Sequence, residues 1–272
     1  MRLISICPSN TELLAYAGLM NSVVAVDDFS DWPEQVKELP RLGPDLSIDI
    51  DKLADLKPDL VYASLSVPGM EKNIEQLSER GIPYTIVDNP VSMSEIGTIL
   101  EKISRDAGYP ERGIMLKEKY SSFIEKYRSL SETITEKTNV YWEWWPKPVF
   151  TPGENNWLTE MSALAGAVNI FADKKEASVQ TDWEDVRLRN PDTLLIAWVG
   201  VQKQKVKPAV ILKRPGWKEL EAVQSDRLFI LDEPFYCRPS PRLMIGLAEL
   251  SYLLYPDIFP EPDGREDRIL FN

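Results

Sequence analysis

Two stretches of this chain repeat one local pattern, and that repeat limits the folds open to it more than any other feature. Leu53 to Ala63 resembles Val186 to Ala197. In each, a helical segment ends, Pro-Asp makes the turn (Pro58-Asp59, Pro191-Asp192), and an apolar strand follows. A second pair matches in the same order: Ala17-Gly18-Leu19-Met20-Asn21 and Ala165-Gly166-Ala167-Val168-Asn169. Two ordered matches predict two related lobes.

The elements agree. Leu3 to Cys7 reads as a strand, and Ser9-Asn10-Thr11-Glu12 offer cap residues before a helix that Gly18 closes. Strands are expected at Val23–Val26, Leu60–Ala63 and Tyr84–Val87, with helices at Ile50–Leu56 and Met70–Arg80. Strands alternating with helices imply an α/β fold with mostly parallel sheets. From Pro110 to Lys137 the apolar residues Ile114, Tyr120, Phe123, Ile124, Tyr127, Leu130 and Ile134 recur at helical spacing. That run would span roughly 40 Å. The division read from the chain is 1–107 for the first lobe, 108–138 for a stiff connecting helix and 139–272 for the second lobe. Ligands of open α/β lobes bind outside the carboxyl ends of the strands, so two facing lobes predict a cleft there.

Composition removes several functions. The 272 residues contain no histidine, which excludes a Ser-His-Asp triad and any imidazole-dependent zinc site. The two cysteines, Cys7 and Cys237, could form a disulfide or stay as two thiols, and are too few for a cysteine metal site. The net charge is -12 and no Lys/Arg stripe is present, so no nucleic-acid partner is expected. No GxGxxG, P-loop or G-x-S-x-G motif is present. No apolar run reaches transmembrane length, and no secretory signal is visible. As written the chain would stay in the cytoplasm; with a native leader upstream it would be extracytoplasmic.

The candidate site residues are aromatic. In Tyr141-Trp142-Glu143-Trp144-Trp145-Pro146, strand alternation puts Trp142 and Trp144 on one face and Tyr141, Glu143 and Trp145 on the other. Trp144 and Trp145 at the strand end, with Trp198 after the run Leu194–Ala197, are candidate walls for a large, flat, partly apolar ligand. Trp142 and Trp157 suit either a wall or the core. Phe29 and Trp32 follow the strand Val23–Val26, and Ser66 lies in the loop after Leu60–Ala63. Arg238 is a candidate polar contact, while Arg242 reads better as a structural clamp at a helix start. Glu71 and Glu184 each start a helix. Their carboxylates suit helix-end electrostatics or docking to basic pockets on a partner.

Cys7-Pro8-Ser9-Asn10-Thr11-Glu12, Ser30-Asp31-Trp32-Pro33, Leu56-Lys57-Pro58-Asp59-Leu60-Val61, Gly166-Ala167-Val168-Asn169-Ile170-Phe171, Asn190-Pro191-Asp192 and Ser240-Pro241-Arg242 come in an order that resembles the helical-backbone class of ABC-transporter substrate-binding proteins, most closely its cobalamin-binding branch. The resemblance covers Leu3 to about Tyr255. It implies two Rossmann-like lobes joined by one long helix, a corrinoid ligand held between them, no catalysis and no resident cofactor. It further implies a monomer whose Glu71 and Glu184 dock on permease arginines, with Phe29, Trp32, Trp144, Trp145 and Trp198 as walls and Arg238 as a polar contact. The absence of histidine speaks against direct metal-ion capture. The alternatives are the same module holding a ferric siderophore or haem, a cytoplasmic corrinoid-handling relative, and a carboxylate-based hydrolase.

Overall fold

A computed structural model describes residues 1–271. In chain order the elements are β1 (Leu3–Ser5), α1 (Pro8–Tyr16), β2 (Val23–Val26), α2 (Ile50–Asp55), β3 (Leu60–Ala63), α3 (Glu71–Glu79), β4 (Tyr84–Ile86), α4 (Ser94–Asp106) and α5 (Pro110–Ser131). There follow β5 (Thr138–Glu143), β6 (Trp145–Pro146), β7 (Val149–Pro152), α6 (Trp157–Leu164), β8 (Ala167–Asn169), β9 (Ser178–Thr181), α7 (Trp183–Arg189), β10 (Thr193–Ile196), α8 (Pro208–Leu212), α9 (Glu221–Gln224), β11 (Leu228–Ile230) and α10 (Leu243–Leu254).

The chain forms two compact units, one of residues 1–89, 96–119 and Phe271, the other of residues 90–95 and 120–270. The first holds a parallel sheet in the order β2-β1-β3-β4. Its strands are short apolar runs. Ile4, Ala25, Val61 and Ala63 are buried and pack with Ile6, Leu42, Leu53 and Leu77. The second unit holds a parallel sheet in the order β11-β10-β5-β8. Read from its other edge this is β8-β5-β10-β11, the same order of connection as in the first unit. Tyr141, Leu194 and Ile196 form its core with Phe171, Val186 and Trp217. A small antiparallel sheet, β6-β7-β9, is added to this unit.

The repeat extends to backbone detail. Gly18 and Gly166 close α1 and α6 at φ of 77° and 76°, a region that glycine enters without steric cost. Lys57 and Asn190 each precede a proline and take φ of 48° and 45°. Two residues on, Asp59 accepts the backbone N–H of Arg2 at 2.6 Å, and Asp192 accepts that of Asn139 at 2.6 Å. Each aspartate therefore ties the turn before its unit's third strand to the start of the first.

Three expectations shift. Helix α1 starts at Pro8, not after the Ser9–Glu12 run, because proline has its φ preset for the first helical position. Thr11 and Glu12 are buried inside it. Helix α5 ends at Ser131 rather than near Lys137. There Ser131 and Thr133 hydroxyls donate to the carbonyls of Arg128 and Leu130, an alternative to continuing the ladder. Buried Leu116, Tyr120, Phe123, Ile124 and Tyr127 form its apolar stripe, whereas Ile114 is exposed. Finally, the aromatic strand breaks. It ends at Glu143, and Trp145-Pro146 pair with Val149-Phe150 in a hairpin turned at Lys147-Pro148.

Candidate ligand-binding face

In the first unit the chain leaves the carboxyl end of β2 through Asp27, which is fully buried. One oxygen of Asp27 accepts the N–H groups of Phe29 at 2.8 Å and Ser30 at 3.0 Å, and the other accepts the Ser30 hydroxyl at 2.5 Å. Arg41 donates to the carbonyls of Asp27, Ser30 and Val36. The loop is thereby fixed with Phe29 pointing outward, 53% exposed. Burial pushes the Asp27 carboxyl up from 3.8 to about 6, against the lowering effect of its Ser30 and Phe29 hydrogen bonds. Leu65 and Val67, in the loop after β3, and Leu46 are also exposed apolar side chains. Sequence reasoning took Ser66 from that loop and passed over these three. Ser66 is exposed, and its hydroxyl accepts that of Ser64 at 3.0 Å.

Trp32 has a different setting from the wall expected of it. Its ring stacks on Tyr16 at 5.1 Å and lies 6.3 Å from the ring of Phe271. Trp32 is half-buried, and Phe29 is the more exposed of the pair.

In the second unit β5 and β10 continue as a pair beyond their ends, with Ala197 N–H on the Glu143 carbonyl and Val199 N–H on that of Trp144. Trp144 and Trp198 thus leave the sheet side by side, both half-buried. Trp144 packs against Trp157 at 5.9 Å. Trp198 packs against the core, and its indole N–H donates to Glu143 at 3.0 Å. Trp145 is 42% exposed, with its indole on the carbonyl of Lys147. Val199 is exposed beside them. Trp142 and Trp157 are core residues: both are buried, with indole donors on the Ser162 hydroxyl and the Tyr236 carbonyl.

Arg238 is largely buried. Its side chain is 12% exposed and pairs with Glu233 at 3.3 Å. Arg242 lies 4.9 Å over the Phe235 ring, a structural contact. Cys7 and Cys237 are free thiols, and burial pushes Cys7 up to about 11. Among the described residues no group of three His, Cys, Asp or Glu side chains is placed to hold a metal ion. No described helix is long and apolar enough to cross a membrane.

Glu71 and Glu184 stand exposed at the first turns of α3 and α7. Glu71 accepts the Gly69 N–H at 2.7 Å. Glu184 receives Arg187 in a two-point contact of 2.8 and 2.6 Å, which holds its carboxyl below the ordinary range. Beside Glu184 is a shallow hollow of about 450 Å³, walled by Pro146, Pro148, Val149, Trp183 and Pro215.

Comparison with known proteins follows the same lines. Residues 3–235 match the periplasmic binding protein family. The ABC transporter substrate-binding lipoprotein YvrC of Bacillus subtilis is 32% identical over 96% of this chain and 82% of its own. The crystal structure of the vitamin B12-binding protein BtuF of Vibrio cholerae superposes with a TM-score of 0.76 and 27% identity, covering 93% of this chain and 96% of that one. The haem-binding protein RhuT of Roseiflexus gives 0.81 and 25%, covering 94% and 98%. A repeated α/β unit, aromatic side chains at the strand ends and a match across both units agree: the chain belongs to the periplasmic binding protein family, as a non-enzymatic substrate-binding protein of the ABC-transporter type.

Proposed function

We propose that this protein captures a corrinoid, cobalamin or a close relative, for delivery to an ABC-type permease. The observation that carries the reading is the set of large apolar side chains left exposed just beyond the ends of the parallel strands: Phe29, Leu65 and Val67 in one unit, Trp145 and Val199 in the other. Trp144 and Trp198 stand half-exposed beside the last two. Exposed apolar surface of this kind marks a binding site, and flat rings suit a broad macrocycle. The likeness to vitamin B12-binding proteins supports the choice of ligand.

A haem-binding reading is favoured by the likeness to RhuT. The donor set weighs against it. The chain has no histidine to ligate haem iron. Tyr236, the tyrosine on the segment after β11, is buried with its hydroxyl on Glu249 at 3.3 Å. Burial also raises it well above the ordinary tyrosine range, away from the phenolate a metal would need.

Glu71 and Glu184 are the proposed docking carboxylates for permease arginines, supported by their exposure at the starts of two helices. The relatives named as a lipoprotein and as a periplasmic protein support an extracytoplasmic place of work. Calorimetric titration with cyanocobalamin, with haem and a ferric siderophore as competitors, tests the ligand. Saturable heat with the corrinoid that neither competitor suppresses is the expected result. No heat at micromolar protein, or displacement by haem, overturns the corrinoid assignment.

A further inference from the structure

We propose that the buried ion pair Glu143–Arg214 is a positioning device that holds the indole of Trp198 fixed in the ligand-binding face. The proposal rests on Trp198 being part of that face.

Glu143 is the last residue of β5, and its side chain is 0% exposed; that of Arg214 is 2% exposed. The pair is bidentate, with contacts of 2.5 and 2.7 Å. The same carboxylate accepts the Tyr141 hydroxyl at 2.9 Å and the Trp198 indole N–H at 3.0 Å. Four donors therefore converge on two oxygens. The guanidinium in turn lies over the rings of Trp217 at 4.4 Å and Trp183 at 5.0 Å. The indole of Trp217 closes the network on the Trp183 carbonyl at 3.1 Å.

Stability is a weak explanation for such a pair. Removing two charges from water is costly, and apolar residues of similar volume often replace a buried pair without loss. What an apolar pair cannot supply is an acceptor for the indole. Trp198 lies beyond the end of β10, in the loop, half-buried against the core. Its Nε1 hydrogen bond fixes the ring's direction. The carboxylate that accepts it is held at both oxygens by a planar fork, which is itself held between two aromatic rings. The ligand-facing indole is thus set by a chain of contacts that has no freedom of its own.

The test uses the protein labelled with 5-fluorotryptophan. The chain has eight tryptophans, and the Trp198 fluorine resonance is identified by its absence in Trp198→Phe. The paired variant Glu143→Leu with Arg214→Met removes both charges together. The melting temperature is expected to fall modestly at most, since the loss of an acceptor for the Tyr141 hydroxyl and the Trp198 indole opposes the gain from removing two buried charges, while the Trp198 resonance broadens or splits. Cyanocobalamin affinity should fall about 3- to 10-fold, the size expected when a side chain is immobilised on binding instead of beforehand. A single sharp Trp198 resonance at its native position would overturn the proposal, as would the same affinity loss when the pair is removed from a Trp198→Phe background. If the paired variant does not fold, Arg214→Lys, which keeps the charge but removes the two-point fork on the carboxylate, is read by the same resonance with the same two outcomes. The fluorine signal is taken without ligand. Absence of corrinoid binding by the unaltered protein therefore refutes the ligand assignment separately, and the resonance still decides whether the pair positions Trp198.

Discussion

Asp27 makes the first unit's stability depend on pH in the direction opposite to the usual carboxylate. Its burial raises the folded-state value to about 6, above the ordinary 3.8. The native protein therefore binds this proton more tightly than the unfolded chain. The sign follows: the contribution is fully favourable below about pH 4, declines between pH 4 and 6, and is lost above 6. The interval corresponds to on the order of 3 kcal/mol of destabilisation at neutral pH. Asp27→Asn removes the charge and leaves an oxygen to accept the Phe29 and Ser30 N–H groups. The amide nitrogen introduced by the substitution would donate to the Ser30 hydroxyl, and that hydroxyl can turn its proton to Thr11 Oγ1, 2.7 Å away. Urea unfolding of both proteins from pH 4 to pH 8 measures the difference. The variant is expected to match the parent near pH 4 and to gain by up to about 3 kcal/mol above pH 6. The half-buried Asp45 carboxyl is also raised by desolvation and its charge adds to the Asp27 shift, so the part of its titration coupled to Asp27 is included in that difference. A difference that stays constant with pH would refute the reasoning, as would a labelled Asp27 side chain that titrates near 3.8 in the folded protein.

Other perturbations separate binding, docking and packing. Phe29→Ala should weaken corrinoid binding by roughly tenfold, about what one aromatic contact contributes, and leave the melting temperature unchanged because the ring is 53% exposed; calorimetry and thermal melting read the two. Glu71→Arg and Glu184→Arg should leave the corrinoid Kd unchanged and lower uptake of labelled cobalamin by cells carrying the chain with its permease by roughly tenfold or more, as expected for reversal of an interfacial charge. Gly246→Ala puts a Cβ 2.1 Å from the carbonyl oxygen of Phe235. That clash with fixed backbone should cost about 1–3 kcal/mol in urea unfolding, the range for overpacking.

The fold was largely legible in the sequence because its strongest signals are local. Pro58-Asp59 and Pro191-Asp192 are turn signals, and the structure places both at the start of the third strand of a unit. The site was legible as segments and less so as residues. The loop after β2 could be named, but the sequence does not state which aromatic points outward. Phe29 does, while Trp32 stacks on Tyr16 and is near Phe271, 239 positions along the chain. The exposed Leu65 and Val67 lay in a loop already singled out, and apolar residues that no periodic element explains were the available signal. Glu143 offered one too, as a charge inside an aromatic strand. Its partner Arg214 is 71 residues away and carries no local mark. The pairing of Arg238 with Glu233 was likewise not legible, since it depends on the turn after β11.

The repeat explains why the proposed ligand and docking residues gather on corresponding faces of each unit, without making them corresponding residues. In a parallel sheet every connection must return to the amino end, so the intervening helices begin on the carboxyl side. The loops with apolar side chains and the helix starts with free N–H groups are then neighbours by topology. The loops after β3 and β10 occupy the same place in the two sheets, and both expose apolar side chains, Leu65 and Val67 in one and Val199 beside Trp198 in the other. The acids differ. Glu71 opens α3, the helix after β3, whereas Glu184 opens α7, the helix before β10. The element in the first unit that corresponds to α7 is α2, and its residue at the Glu184 position is Asp51, which pairs with Arg80. Glu71 and Glu184 are thus not copies of one ancestral acid position. What they share is a helix N-terminus on the carboxyl side of a parallel sheet, where the helix dipole favours a carboxylate. Under the proposed docking role, two such acids on non-equivalent helices would answer to the partner rather than to the repeat.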